Sequence, residues 1–194
     1  MNDSCNLIAK YIKRGLSMKS FIVTGASASG KTTLINEAIL NGYRYLPTHM
    51  TRKKRKTEVA GRDAIFISEE DFLNNFANGY YLEPSLEYAQ TINSYYGTPT
   101  YWINVLMRDN YCASPVSAFL AQKIKKCIPN LLWIYLKCDQ QIRLSRLESR
   151  GLSAIEVEKR MQTINNQVNL SDDAVVFDTG LKTPLQILNE IMEL

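Results

Sequence analysis

The sequence is poor in the residues from which metal centres and covalent staples are made. It has one histidine, His49, and four cysteines, Cys5, Cys112, Cys127 and Cys138, with no C-x-x-C pair and no cysteine at metal spacing from the histidine. A Cys/His zinc site and a disulfide framework are therefore not expected, and the pattern suits a reduced, cytoplasmic chain with buried thiols. Long apolar runs are missing as well. The longest, "LLWIYL" at residues 131–136, falls far short of the ~20 residues that a membrane-spanning helix needs. The N-terminus lacks the apolar core of a signal peptide, so no membrane partner is expected. Repeats and low-complexity segments are absent. What remains, 194 residues that are 45% hydrophobic, can bury a core as one domain with room for an inserted subdomain.

Excess charge is concentrated in one place. Five consecutive basic side chains, Arg52, Lys53, Lys54, Arg55 and Lys56, contribute +5 to a formal net charge of +4, which leaves −1 for the rest of the chain. Nucleic-acid binding draws on basic residues spread along a face, which release many counterions, so no nucleic-acid partner is expected. The run then reads either as a solvated loop or as a pocket for one small phosphate.

Periodicity gives the coarse order of elements. Residues 4–16 carry Leu7, Ile8, Ile12 and Leu16 near helical spacing, as an accessory helix would. "SFIVTG" (20–25) reads as a strand, and "KTTLINEAIL" (31–40) as a helix with Leu34, Ile35, Ala38 and Ile39 on one face. "AIFIS" (64–68) and "YYLEP" (80–84) read as strands around the helix "EEDFLNNFAN". Thr98 and Ser114 each precede a proline, as an N-cap precedes the first turn, which predicts helices starting near 99 and 115. "LLWIYLKCD" is a buried parallel strand, followed by helices through Leu147 and over 153–168. "DAVVFD" is a further strand, and "TPLQILNEIMEL" a helix capped by Thr183 and Pro184. Strands alternating with helices predict a parallel α/β sheet with helices on both faces.

Between the first strand and its helix stands "GASASGKT", residues 25–32, which fits G-x-x-x-x-G-K-[ST] in the context that motif requires. Gly25 and Gly30 let the backbone curl so that N–H groups, helped by the helix N-terminus, point at phosphate oxygens. Ser27, Ser29, Lys31, Thr32 and Thr33 complete the candidate ATP site. Lys31 is a point charge for the β and γ phosphates, and the Thr32 hydroxyl is a ligand for Mg²⁺. Such a loop predicts a nucleoside triphosphate ligand but not a reaction.

The residues after the loop narrow the field. "THMTRKKRKTEVAGRD" places Thr51, Arg52, Arg55, Glu58, Gly61, Asp63 and Phe66 at the spacings of T-R-x-x-R-x-x-E-x-x-G-x-D-Y-x-F. With Glu83, the "YYGT" of 95–98, "RLESRG" and Arg160, the chain from about Met18 onwards resembles the guanylate kinase family of P-loop nucleoside monophosphate kinases. The resemblance implies a three-layer α/β/α P-loop NTPase fold, with residues 1–17 as an N-terminal extension to a domain over 18–194. It also implies a small acceptor-binding subdomain over 47–98 and a helical lid over 146–163. Arg52, Arg55 and Tyr96 then grip the acceptor phosphate, Thr48, Glu83 and Thr98 read the base, and Lys31, Arg146, Arg150 and Arg160 are the catalytic cations. A guanidinium forks two N–H bonds onto phosphate oxygens, so two can neutralise a dianion. A basic helix face in water is the competing reading of the lid arginines, since Arg143 and Lys159 stand among them.

The resemblance also has gaps. The family tyrosine after G-x-D is Ala64, and the segment where the family has two aspartates flanking one residue reads "YCASPVSAF", with Ser114 and Ser117 as its polar side chains. Asp139 and Asp178 end later strands, where loop or capping roles compete with reaching magnesium through water. The expected reaction is transfer from MgATP to a small phosphorylated acceptor, GMP or dGMP first, by a monomer or homodimer. The alternatives are a sugar-phosphate kinase acting on a compound such as ribose 1,5-bisphosphate, and a non-catalytic guanylate-kinase-like binding module.

Overall fold

Strand β1 (Phe21–Gly25) is the axis of the larger of two sheets, because Phe21, Ile22 and Val23 have no exposed surface on either face. The computed structural model describes residues 19–54, 58–61, 63–84, 94–109, 111–162 and 173–194. The helix expected over 4–16, the end of the one expected over 153–168, and Arg55 lie outside them. Two compact units are present, residues 45–108 and the described residues on either side of that stretch.

In the larger unit the elements are β1, α1 (Lys31–Leu40), β2 (Arg44–Tyr45), β7 (Cys112–Pro115), α4 (Ala118–Cys127), β8 (Leu132–Lys137), α5 (Gln140–Glu148), α6 (Ala154–Gln162), β9 (Ala174–Asp178) and α7 (Pro184–Glu193). The sheet order is β2-β7-β1-β8-β9, with β1 parallel to both β7 and β8 and β8 parallel to β9. This is the parallel α/β architecture that the alternation of strands and helices predicts. The polar groups of its centre are matched internally: Trp133 Nε1 donates to Thr24 Oγ1 at 2.7 Å, between two strands buried on both faces. Helix α1 buries Leu34, Ile35 and Ala38 and packs against α7, whose Thr183 and Gln186 form a capping box ahead of Ile187, Leu188 and Ile191.

The smaller unit holds β3 (His49–Met50), β4 (Ile65–Phe66), α2 (Glu69–Ala77), β5 (Tyr81–Pro84), β6 (Tyr96–Pro99) and α3 (Tyr101–Arg108). Its sheet is mixed, in the order β4-β3-β6-β5: β3 is parallel to β4, while β6 is antiparallel to both β3 and β5. Here the expectation of parallel pairing fails, because antiparallel neighbours need no helical crossover. Phe72 of α2 is fully buried, stacked on Tyr81 at 4.6 Å and Tyr95 at 5.1 Å, and fixes which side of the sheet is covered.

Two expected helix starts are displaced. Thr98 and Pro99 end β6, Ser114 and Pro115 end β7, and the helices begin at Tyr101 and Ala118. A residue before proline favours extended backbone, and burial of Thr98 and Ser114 in their sheets keeps them there. The cap of α4 is Ser117, whose Oγ accepts from Leu120 N at 3.1 Å.

Candidate active site

The loop between β1 and α1 is shaped by what its glycines permit. A Cβ on Gly25, at φ 145°, would lie 2.6 Å from the Leu136 carbonyl oxygen and 2.7 Å from Ser29 Oγ. Gly30, at φ 100°, opens α1 with no side-chain cap, and the first turn carries no acidic residue. Its N–H groups therefore face outward unopposed. Ala28 holds φ 61°, a strained value for a residue with a side chain, and is pinned by packing against Leu147 and Val157. Ser29 Oγ is buried and has no partner among the described residues. Lys31 folds back onto the loop, donating from Nζ to Gly25 O at 2.6 Å and Ala26 O at 2.8 Å. Burial, and then the charges of Arg143 and Arg150, push its ammonium down to about 8.

An orphaned hydroxyl, a cradle that a Cβ would fill, an uncapped helix end and a lysine held among other cations together fit a polyphosphate. For a metal the loop provides less: Thr32 is exposed at the start of α1, with Thr33 beside it. No cluster of three acidic, histidine or cysteine side chains suited to a metal occurs among the described residues. Asp139 caps α5 through Gln141 N and Ile142 N, and Asp178 accepts from Gly180 N at 2.8 Å, as the capping and loop reading expects. Magnesium would thus rest on Thr32, phosphate oxygens and water.

The arginines divide into two groups. Arg143 and Arg146, one turn apart on α5, turn toward the loop: Arg143 Nε donates to Ser27 O at 2.9 Å, and Arg146 Nη1 donates to Ala28 O at 3.2 Å. Arg146 also reaches Thr179 O at 3.2 Å. Arg150 is exposed just beyond α5, close enough for its charge to act on Lys31, and Arg160 lies on α6 near Glu156. Sequence reasoning missed Arg143, which is 4% exposed, whereas its apolar neighbours Ile142 and Leu144 are each 37% exposed. The available signal was its spacing of four from Leu147, which places the two on one helical face.

In the smaller unit, strand alternation gathers the acceptor candidates. Met50 is opposite Tyr96 and His49 opposite Gly97, so Tyr96 and Thr98 share one side of β6, and Thr48 continues the Met50 side of β3. Arg52 joins them, donating from Nε to Tyr96 Oη at 3.1 Å, with its guanidinium 5.5 Å from the Phe66 ring centroid. Its Nη1 and Nη2 bond Glu58 at 2.8 and 2.5 Å, a two-point ion pair that raises the guanidinium further above its ordinary range. Glu83 lies on β5. Ala64 is buried, and beside it the Tyr45 hydroxyl donates to Asp63 O at 3.0 Å, a phenol that the motif reading did not single out. On the opposite side of the sheet His49 is buried, with Nδ1 2.9 Å from Tyr81 Oη. Asn75 donates to the same hydroxyl at 3.3 Å.

A parallel sheet whose first strand runs through a complete phosphate loop into a helix defines a P-loop nucleotide-binding protein. The family model described as guanylate kinase matches residues 17–194. A guanylate kinase of Neisseria gonorrhoeae is 31% identical over 163 residues, covering 81% of this chain and 76% of its own. One from Enterococcus faecalis is 32% identical, covering 86% and 82%. Among solved structures, the guanylate kinase of Anaplasma phagocytophilum matches with a TM-score of 0.63 at 18% identity, over 92% of this chain and 85% of that one. A gluconokinase of Sinorhizobium meliloti, at 12% identity and a TM-score of 0.51, shares the fold alone. The chain belongs to the guanylate kinase family of nucleoside monophosphate kinases. Among its described residues no helix is long and apolar enough to cross a membrane.

Proposed function

We propose that the protein transfers the γ-phosphoryl group of ATP to a nucleoside monophosphate, with GMP or dGMP as the first choice of acceptor. The observation that carries this reading is Arg52 beside Tyr96, on the side of the small sheet shared by Thr48 and Thr98. A forked cation next to a phenol suits a phosphate dianion, and the threonines suit the edge of a base. Glu58 holds the fork in one orientation, and Arg55 and Glu83 complete the acceptor set by family resemblance.

Ser27, Ser29 and the N–H groups from Gly25 to Thr33 receive the donor's phosphates. An acceptor phosphate oxygen attacks the γ-phosphorus in line, the bond to the β-bridging oxygen breaks, and ADP leaves. Lys31, Arg150 and Arg160, with Arg146 beside the loop, offset charge on the transferring oxygens. Thr32 would offer its hydroxyl to a magnesium ion, which would supply charge neutralisation to the bound triphosphate. Residues 146–163 are read as the lid and 47–98 as the acceptor-binding part.

The acceptor is the distinctive part of the proposal. With serines where the family carries its aspartate pair, a guanine loses a charge-assisted partner worth about 1.5–3 kcal/mol. Discrimination among bases is therefore weaker than a full set of carboxylates would give. A coupled assay across GMP, dGMP, AMP, UMP, CMP and ribose 1,5-bisphosphate tests this. Turnover of GMP or dGMP is expected to lead, and turnover of the sugar phosphate alone would defeat the reading. Titration with MgATP separates the enzyme from a binding module, which would bind peptide and no nucleotide.

A further inference from the structure

We propose that Arg143 is a positioning residue for the donor nucleotide: with Arg146 and Thr179 it holds three successive carbonyls of the phosphate loop outward, so that the N–H groups of Ala28 and Gly30 face the triphosphate. The inference rests on the P-loop reading of "GASASGKT" and adds to it a residue that the motif does not contain.

The three bonds form one series. Arg143 Nε donates to Ser27 O at 2.9 Å, Arg146 Nη1 to Ala28 O at 3.2 Å, and Thr179 Oγ1 to Ser29 O at 2.9 Å. Each peptide is planar and trans, so its N–H points away from its C=O. Drawing the oxygens of Ser27 and Ser29 outward turns the N–H groups of Ala28 and Gly30 the other way. Ala28 holds a strained φ of 61° in the middle of the series, a conformation that persists only where its surroundings impose it.

Arg143 is an unusual residue to find there. It is 4% exposed, its Nη2 meets only the weak acceptor Met161 Sδ at 3.4 Å, and no carboxylate among the described residues pairs with it. A buried cation whose charge acts on Lys31 is an electrostatic burden on the ligand-free fold, relieved when an anion arrives. Burial accordingly pulls the Arg143 guanidinium below its ordinary range, and its charge helps to depress Lys31. A leucine or methionine would pack the same space without that cost, so the charge is read as serving the ligand.

The test is calorimetric titration of MgATP, without acceptor, into wild type, Arg143→Met and Arg143→Lys. Hydrogen exchange over residues 25–32 of the ligand-free proteins accompanies it. Losing a charged hydrogen bond that orders the loop is expected to weaken ATP binding by about 10- to 100-fold in Arg143→Met, with faster loop exchange and an undiminished Tm. Arg143→Lys, which keeps the charge but not the planar Nε bond, should fall between. A folded Arg143→Met with unchanged ATP affinity and unchanged exchange would overturn the proposal. So would a lower Tm as the sole change, which is what a purely structural arginine would give. Should Arg143→Met fail to fold, wild-type affinity and exchange in Arg143→Lys would overturn it equally. Equal MgATP binding by wild type and Lys31→Ala would instead defeat the reading of the loop itself.

Discussion

At the scale of single residues, Lys31 should set a pH limit on donor binding. Burial holds its ammonium down at about 8 in the ligand-free protein, below the ordinary 10.5, and triphosphate oxygens favour the charged form. Below pH 8 the charge is already present. Above it, binding must take up a proton, and MgATP affinity should fall by up to about tenfold per pH unit until the pKa of the complex is reached. Titrations from pH 7 to 10 would show the bend in wild type and its absence in Lys31→Met. The stability sign is separate: between about 8 and 10.5 the unfolded chain binds more protons than the folded one, so this group's contribution rises with pH. Glu58 supports a second prediction. Glu58→Gln keeps the side chain's shape but removes its charge and one of its two acceptor oxygens, and should raise the acceptor KM several-fold with little change in the KM for ATP. Steady-state kinetics with each substrate varied in turn would reveal an equal rise in both, which would place Glu58 in general folding instead.

At the scale of elements, the small sheet is held to its helix by one close approach. A Cβ on Gly97 would lie 2.6 Å from the Tyr81 ring, which is stacked on Phe72. Gly97→Ala should therefore cost about 1–3 kcal/mol of stability. Chemical denaturation would measure it, and Tyr81→Leu in the same chain should recover part of the loss, because the clashing ring is then gone. The same packing keeps His49 neutral, its pKa lowered from 6.5 chiefly by burial. The unfolded chain then binds more protons below that value, so stability should fall as pH drops through about 6.5 toward 5. Comparing Tm at pH 7 and pH 5 for wild type and His49→Gln checks this: the wild-type drop should be the larger.

At the scale of the whole molecule, local chemistry was legible and long-range burial was not. The order of β1, loop and α1 follows from a motif whose glycines, lysine and flanking apolar residues all lie within 20 residues of one another. The arginine motif is equally local, and strand alternation then places Tyr96 and Thr98 together. By contrast, Thr98 and Ser114 look like helix caps until their sheets bury them. Arg143 looks like surface until a loop 116 residues away in sequence closes over it. The mixed pairing of β3 to β6 was hidden because strands of two or four residues carry too little periodicity to read. The two groups of functional residues lie in different compact units, each with its own buried aromatic or aliphatic core. Substitutions in them should therefore separate kinetically, because residues without shared partners act additively. On the proposed reading Arg52→Ala removes a cation from the acceptor phosphate and should raise the acceptor KM by about 100-fold while MgATP binds as in wild type. Lys31→Ala should do the reverse, weakening MgATP binding strongly but measurably with acceptor affinity retained. Calorimetric titration of each ligand into each variant decides the matter, and loss of both ligands from either folded variant would mean that one shared site, and not two, receives the phosphates.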